Sequence, residues 1–260
     1  MQYKIENGIQ VLARAAAILR ICKNSPGGLS LGAIAAQAGL PRSTVQRIVS
    51  SLAAEGLLLA DGHASRIRLG PQIFALAQDM SLDVVEIAHP HLRRLSQETG
   101  ETVDLAVLRR DHLVFVDQIV GQHRLRAVSA VGERFPLHCT ANGKAALALL
   151  NDDEIGALCA GGLPRFTPAT LVTPRGLLKD IAHVRASGTA TDREEHSIGI
   201  SAIGLAFRNR AGTIYAISIP MPTVRFEQHA SAFAVFLRSA SKALLADLDA
   251  DGSASGPTAR

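Results

Sequence analysis

The sequence is poor in cysteine and has no long hydrophobic run, and both features narrow the class of protein. Its three cysteines, Cys22, Cys139 and Cys159, are far apart, odd in number and outside any CxxC pattern. They predict no disulfide framework and favour a reducing compartment. No apolar run reaches the roughly 18 residues of a membrane span, and the start, MQYKIENGIQ, lacks the apolar region of a signal peptide. We therefore expect a cytoplasmic protein with no membrane partner.

Motifs that mark nucleotide cofactors and metal sites are also missing. The chain has no GxGxxG after a first strand and no GxxxxGK[ST], so nucleotide-binding folds lose their usual evidence. His138 and Cys139 are adjacent, and adjacent side chains on a strand point to opposite faces. His89 and His91 flank a proline, which is no ligand spacing on a helix. We expect neither a cofactor nor a bound metal.

The composition predicts a globular protein with its positive charge concentrated at one end. Hydrophobic residues make up 47% and charged residues 19% of the 260 residues, enough for two domains with sizeable cores. Residues 1–70 carry eight Lys or Arg against three acids, a net +5 within an overall +4. A basic small domain joined to a nearly neutral large one suits an anionic partner at one end only.

Residues 30–52, SLGAIAAQAGLPRSTVQRIVSSL, predict two short helices around a turn at Gly39. The second helix has an apolar face with the i, i+3, i+4, i+7 spacing of a buried stripe: Val45, Ile48, Val49 and Leu52. The same spacing recurs on a polar, cationic face: Ser43, Gln46, Arg47 and Ser50. Such a helix can lie in the major groove of DNA while the rest of the domain holds it.

The surrounding segments complete a winged helix-turn-helix order. A helix is predicted over residues 9–24 and a hairpin over residues 57–69, with a turn at Asp61-Gly62-His63. Cations of such a wing contact phosphates beside the groove. The candidate DNA-binding residues are Ser30, Arg42, Ser43, Thr44, Gln46, Arg47, Ser50, Arg66 and Arg68. The simpler alternative is that they form an ordinary solvated surface.

After a predicted linker helix, the pattern of the chain becomes mixed. A helix is expected over about residues 84–99, followed by strand-like runs TVDLAVL, HLVFVDQIV and LRAVSAV. Further helices are expected at about 142–150, 174–186 and 226–248, and SAIGLAF and TIYAISI read as strands. The irregular mixture predicts an α+β domain over residues 84–248.

Three segments resemble the IclR-type bacterial transcriptional regulators. They are LSLGAIAAQAGLPRSTVQRIVSSLAAEGLL, GERFPLHCTANGKAALALL and DREEHSIGISAIGLAF with TIYAISIP. The resemblance implies an α+β two-domain protein: an N-terminal winged helix-turn-helix, a helical linker, and a C-terminal GAF-like effector domain with an antiparallel sheet flanked by helices. The predicted bounds are 1–70, 71–83 and 84–248, with a disordered tail over 249–260.

The resemblance also implies where a small-molecule effector binds. The implied residues are Thr140, Ala141, Asn142, Gly143, Asp192, Ala202, Ser218 and Pro220. The residues alone indicate an anion site at the helix start after Thr140, where free amides and the helix dipole favour negative charge. Many relatives have cysteine at Ala202 and some have serine at Pro220. We therefore expect a more apolar cavity that suits an aromatic or larger acid.

The sequence leaves three functional hypotheses open. The leading one is a sequence-specific transcriptional regulator, a homodimer or homotetramer on double-stranded operator DNA that is modulated by a small organic acid. The first alternative is a GAF-like small-molecule enzyme that uses Cys139, with the N-terminal helices serving dimerisation. The second is a winged helix that binds protein rather than DNA. The sequence favours no catalytic residue, and Asn142, Asp192 and Ser218 also fit purely structural roles.

Overall fold

The computed structural model describes residues 10–25, 27–60, 66–78 and 83–254. The chain divides into two compact units, residues 1–82 and 83–260. In the first unit the elements are α1 (Gln10–Lys23), α2 (Leu31–Ala38), α3 (Arg42–Ala54), β1 (Leu58–Ala60), β2 (Ile67–Leu69) and α4 (Pro71–Gln78). This is the element order that the sequence predicts.

Local signals set both ends of α2 and the buried face of α3. The Ser30 hydroxyl accepts the Ala33 amide at 3.2 Å and caps α2. Gly39 adopts φ 61°, the left-handed conformation that ends a helix most easily at glycine. The predicted apolar stripe of α3 is buried and packs on Ile18, Ile34 and Leu58, so the first unit has its own core.

The hairpin is antiparallel and lies one residue from its predicted start. Leu58 pairs with Leu69 and Ala60 with Ile67, and a bridge joins Leu29 to Ile67. The expected turn at 61–63 lies outside the described residues. The linker helix is present as α4, and residues 79–82 of the predicted linker also lie outside them.

The second unit contains α5 (Asp83–Thr99), β3 (Val103–Arg109), β4 (His112–Ile119), β5 (Arg134–Pro136), α6 (Ala141–Ala148), α7 (Asp152–Cys159), α8 (Pro174–Ser187), β6 (Ala190–Arg193), β7 (Ile200–Arg208), β8 (Ile214–Pro222) and α9 (Thr223–Ala254). Six of the described strands form an antiparallel sheet in the order β5-β4-β3-β8-β7-β6. The predicted architecture of a helix-turn-helix unit and an α+β unit is confirmed.

Helices cover both faces of this sheet. On one face α5 and α9 pack on alternate residues of β3 and β8, including Leu105, Ile217 and Ile219. On the other face α6, α7 and α8 form a second core with Ala106 and Ile214. Strand alternation therefore turns Ser218 and Pro220 toward the α6 side.

Two predictions about the second unit are wrong. Residues 125–131 alternate like a strand, but they form no described strand; the described partner of β4 on that side is β5, which pairs with His112–Val114. Helix α9 runs to Ala254, so residues 249–254 do not belong to a disordered tail. The Arg210 guanidinium holds this end by bonding the carboxylate and carbonyl oxygens of Asp249. Helix α7 and strands β5 and β6 were not predicted.

Candidate functional site

The polar stripe of α3 is open to solvent. Arg42, Ser43, Gln46, Arg47 and Ser50 are all exposed on the side of the helix opposite its buried stripe. Within the stripe, Gln46 Nε2 donates to Ser50 Oγ at 3.3 Å. The face thus presents two guanidinium groups and an amide that can contact base edges or phosphates.

The remaining predicted DNA-binding residues have more structural surroundings. Thr44 is half-buried. Arg66 and Arg68 are exposed on the hairpin, and the Arg66 guanidinium also donates to the Gly27 carbonyl at 3.1 Å. Residues 28–32 read GLSLG and so match the GxSxG pattern of hydrolases. However, Ser30 Oγ serves as the cap of α2.

In the second unit, a cavity of about 180 Å³ lies between the sheet and the start of α6. It collects seven of the eight predicted effector positions: Thr140, Ala141, Asn142, Asp192, Ala202, Ser218 and Pro220. Two rows of paired residues explain why: Asp192, Ala202 and Pro220 are aligned across β6, β7 and β8. Ser218, two residues before Pro220, is aligned with Gly204 and Asp104. Their role in binding stays a prediction.

The first turn of α6 presents backbone donors to this cavity. Thr140 Oγ1 accepts the Gly143 amide at 3.1 Å and donates to the Pro136 carbonyl at 2.8 Å. Within the described structure, the amides of Ala141 and Asn142 have no hydrogen-bond partner. Because both residues line the cavity, two free N–H groups and the helix dipole favour an anion there.

Gly143, the eighth effector position that the resemblance implies, is not among the lining residues. A Cβ at this position would lie 2.4 Å from the Leu137 carbonyl oxygen. The glycine is needed for packing against the preceding loop, and its amide is already bonded by Thr140 and Asn142.

Gly204, in the middle of β7, is a site-forming residue that the sequence analysis missed. A Cβ there would lie 2.8 Å from Asn142 N and from the Ala141 carbonyl carbon. The absence of a side chain therefore lets α6 begin directly on the sheet. Glycine inside a strand often marks a close backbone approach, so SAIGLAF did contain this signal.

Two buried carboxyl groups line the cavity. Burial raises the pKa of Asp192 to about 7, although its Oδ1 accepts the Glu195 amide at 2.7 Å. Burial likewise raises the pKa of Asp104 to about 6, against hydrogen bonds from Gln118 and Ser129 that lower it. Asp192 is therefore poised to hold a proton near neutral pH.

Aromatic and apolar groups make up much of the remaining wall. The Phe135 and His196 rings both line the cavity, tilted to each other with centroids 4.7 Å apart, and the ring of Phe166, which is not a lining residue, has its centroid 5.1 Å from that of His196. Burial, helped by His138, lowers the pKa of His196, which favours a neutral ring. Further lining residues absent from the prediction are Asp104, Phe115, Ala127, Val128, Ser129, Phe135, His196, Ser197 and Ile200.

The buried cation Lys144 does not line the cavity. Lys144 is 1% exposed, with Nζ at 2.6 Å from Glu195 Oε1 and 2.8 Å from Asp180 Oδ2. It ties α6 to the turn that follows Asp192. None of the described lining residues is a Lys or Arg. An anion in this cavity would therefore rely on N–H and O–H donors.

Cys139, the nucleophile of the enzyme hypothesis, is fully buried and is not a lining residue. Burial and the nearby Asp192 and Glu195 carboxylates raise the pKa of its thiol, which lowers its nucleophilicity at neutral pH. Across the part of the chain that the structure describes, no group of three His, Cys, Asp or Glu side chains is placed to hold a metal ion.

Comparisons with known proteins agree with both units. The model of the IclR helix-turn-helix domain matches residues 11–62, and that of the bacterial transcriptional regulator IclR C-terminal domain matches residues 77–246. The chain belongs to the IclR family. It is 41% identical to the HTH-type transcriptional regulator TtgV of Pseudomonas putida over 84% of this chain and 83% of TtgV. It is 45% identical to the HTH-type transcriptional regulator Rv1719 of Mycobacterium tuberculosis, over 84% and 85%.

Solved structures of family members share the fold. An IclR homologue from Microbacterium hydrocarbonoxydans, crystallised with 4-hydroxybenzoate, matches with a TM-score of 0.78 and 25% identity, over 92% of this chain and 99% of that one. The Thermotoga maritima IclR matches with a TM-score of 0.73 and 26% identity, over 93% and 99%. The protein is therefore a DNA-binding transcriptional regulator of this family. No helix among its described residues is long and apolar enough to cross a membrane.

Proposed function

We propose that this regulator binds a pseudo-palindromic operator as a homodimer or a homotetramer, and that a small organic acid in the α6 cavity changes its operator affinity. Two-fold symmetry would place two α3 helices in successive major grooves. The observation that carries the effector proposal is the cavity itself. It combines two unpaired α6 amides with the buried Asp192 and Ser218 side chains.

The carboxylate of the acid would lie at the start of α6. The Ala141 and Asn142 amides would donate to it, and Asp192 would donate its own proton, since its pKa is raised to about 7. Two ionised carboxylates in one buried site repel each other, so a shared proton is the favourable arrangement. Lys144 cannot supply the counter-charge because two carboxylates already hold it outside the lining.

An aromatic body suits the rest of the cavity. Phe115, Phe135, Ile200 and Pro220 offer apolar walls around these donors. The relative from Microbacterium hydrocarbonoxydans that was crystallised with 4-hydroxybenzoate supports the same class of ligand. By linkage, an acid that weakens operator binding must itself bind less tightly, by the same factor, to the protein on its operator.

A binding assay with the DNA that flanks the gene tests the operator proposal. Arg47→Ala should weaken binding by about 1–3 kcal/mol and relax specificity at one base pair if Arg47 reads a base. If it contacts phosphate, all sequences should weaken alike and the salt slope should fall by about one. Arg94→Ala removes a guanidinium that is 80% exposed on α5 and serves as the matched control.

Two results would contradict this part of the proposal. Unchanged operator affinity in Arg47→Ala would remove that residue from the interface. Absence of salt-dependent retention on DNA, with no preference for the flanking fragment, would instead favour a winged helix that binds protein.

Calorimetry with organic acids tests the effector proposal. We expect benzoate to bind the wild-type chain and to bind Ser218→Ala more weakly, because the variant loses a hydroxyl that is 4% exposed in the cavity wall. Binding of only the smallest oxo-acids would contradict an aromatic effector. Nothing in the described site favours the enzyme hypothesis, because Cys139 is buried and is not among the lining residues.

A further inference from the structure

Asp104 is a buried acid in the cavity wall that no motif identifies. It lies on β3, in register with Ser218 on β8, and is 1% exposed. Gln118 Nε2 donates to its Oδ1 at 2.6 Å, and Ser129 Oγ donates to its Oδ2 at 3.1 Å. A carboxylate has about four acceptor positions, so each oxygen can accept a further hydrogen bond.

The surroundings of Asp104 leave this capacity unused. The described lining provides no cation that compensates the carboxylate. The neighbouring Ser218 hydroxyl, also buried, has no hydrogen-bond partner among the described residues. Buried acceptors gain most from a bound donor, because an unmet hydrogen bond in a dry site costs free energy.

The two acids lie at opposite ends of the cavity. Asp192 is on β6 and Asp104 on β3, with β7 and β8 between them. Three strand spacings across the sheet and the two-residue offset between their rows separate their backbones by about 16 Å. Once both side chains and their hydrogen bonds are allowed for, this span fits one ring with a polar group at each end.

We propose that Asp104 is a specificity-determining residue of the effector site, which accepts a hydrogen bond from a hydroxyl group at the end of the effector remote from α6. This inference rests on the proposed function, in which α6 and Asp192 hold the carboxylate. The effector class is then a hydroxylated aromatic acid. A site that accepts a hydrogen bond from a ligand hydroxyl rejects analogues without that hydroxyl. It rejects analogues that carry only an acceptor at the same position more strongly.

Calorimetry with four matched acids tests this assignment: benzoate, 3-hydroxybenzoate, 4-hydroxybenzoate and 4-methoxybenzoate. For the wild-type chain, at least one hydroxybenzoate should bind about tenfold more tightly than benzoate. 4-Methoxybenzoate should bind more weakly than benzoate. Asp104→Asn keeps the shape but replaces an acceptor oxygen by a donor, so the preference for hydroxyl should disappear. Asp117→Asn is the control. Asp117 lies on β4, with its Oδ2 atom 2.8 Å from His89 Nδ1, and it does not line the cavity.

The outcomes separate this inference from the function on which it rests. If benzoate binds but neither hydroxyl improves affinity, Asp104 has no such role and the proposed function stands. The same conclusion follows if Asp104→Asn keeps the wild-type ranking. If no aromatic acid binds, the proposed effector class fails and the inference fails with it. The ranking of the four acids on the wild-type chain tests the role of Asp104 even if the variant does not fold.

Discussion

Binding of a carboxylic acid should depend steeply on pH above 7, because Asp192 must hold a proton when the acid is bound. Its pKa is raised to about 7, chiefly by burial and further by the nearby Glu195 carboxylate. Above that pH the ionised form dominates and repels the ligand. With a pKa of 7, the protonated fraction is about one half at pH 7, about one tenth at pH 8 and about one hundredth at pH 9.

The affinity for benzoate should therefore fall about tenfold between pH 8 and 9, which corresponds to about 1.4 kcal/mol. Benzoate itself stays ionised over this range, like any simple carboxylate. The pKa of Asp104 is raised only to about 6, so this group is already ionised at pH 8 and does not contribute. Isothermal titration calorimetry in two buffers of different ionisation enthalpy would also measure the uptake of nearly one proton at pH 8.

Asp192→Asn is the decisive comparison. The amide is a permanent donor without charge, so the variant should lose the pH dependence and bind benzoate more tightly than the wild-type chain at pH 9. Equal wild-type affinity at pH 7 and pH 9, or no proton uptake at pH 8, would refute the shared proton. In that event the α6 amides alone hold the carboxylate.

Three further changes test the supporting structure. Lys144→Met should destabilise the second unit by about 3–5 kcal/mol in chemical denaturation, because it leaves the buried Glu195 carboxylate and the half-buried Asp180 carboxylate without their cation; loss of less than 1 kcal/mol would contradict this. Gly204→Ala should weaken benzoate binding with little change in operator affinity, because its Cβ would push against the first turn of α6. The pKa of Asp104 is higher in the folded chain than in the unfolded one, so the folded state binds more protons between about pH 4 and 6. The free energy of unfolding should therefore fall as pH rises through that window. Asp104→Asn should make this pH dependence weaker.

The N-terminal unit could be predicted almost completely because its signals are local. The spacing of Val45, Ile48 and Leu52 identifies the buried face of α3, and Ser30 and Gly39 identify the two caps of α2. Each signal lies within one or two helical turns of the element that it defines. Contacts between distant residues are not required to find these elements, only to confirm them.

In the second unit, local sequence signals are insufficient to predict every strand. LRAVSAV alternates like a strand, but whether it pairs depends on a neighbour that the sequence does not name. In the structure its carbonyl groups accept bonds from side chains instead, from Thr102 to Ala127 at 2.6 Å and from Arg225 to Leu125 at 2.7 Å. Short elements such as β5 and β6 exist because a long strand beside them offers free hydrogen-bonding groups.

The candidate effector site was predicted in part, and the missing part changes its chemistry. The motif positions Ala202 and Pro220 indicated a cavity with fewer polar groups than in many relatives. The sheet, however, brings Asp104 into register with Ser218, which is 114 residues away along the chain. The strand that supplies Asp104 to this cavity wall thus lies outside the motifs, whereas Asp192 and Ser218 lie within them. The identity of the residues at motif positions is therefore insufficient to rank effectors; the residue paired with Ser218 on β3 has to be considered as well.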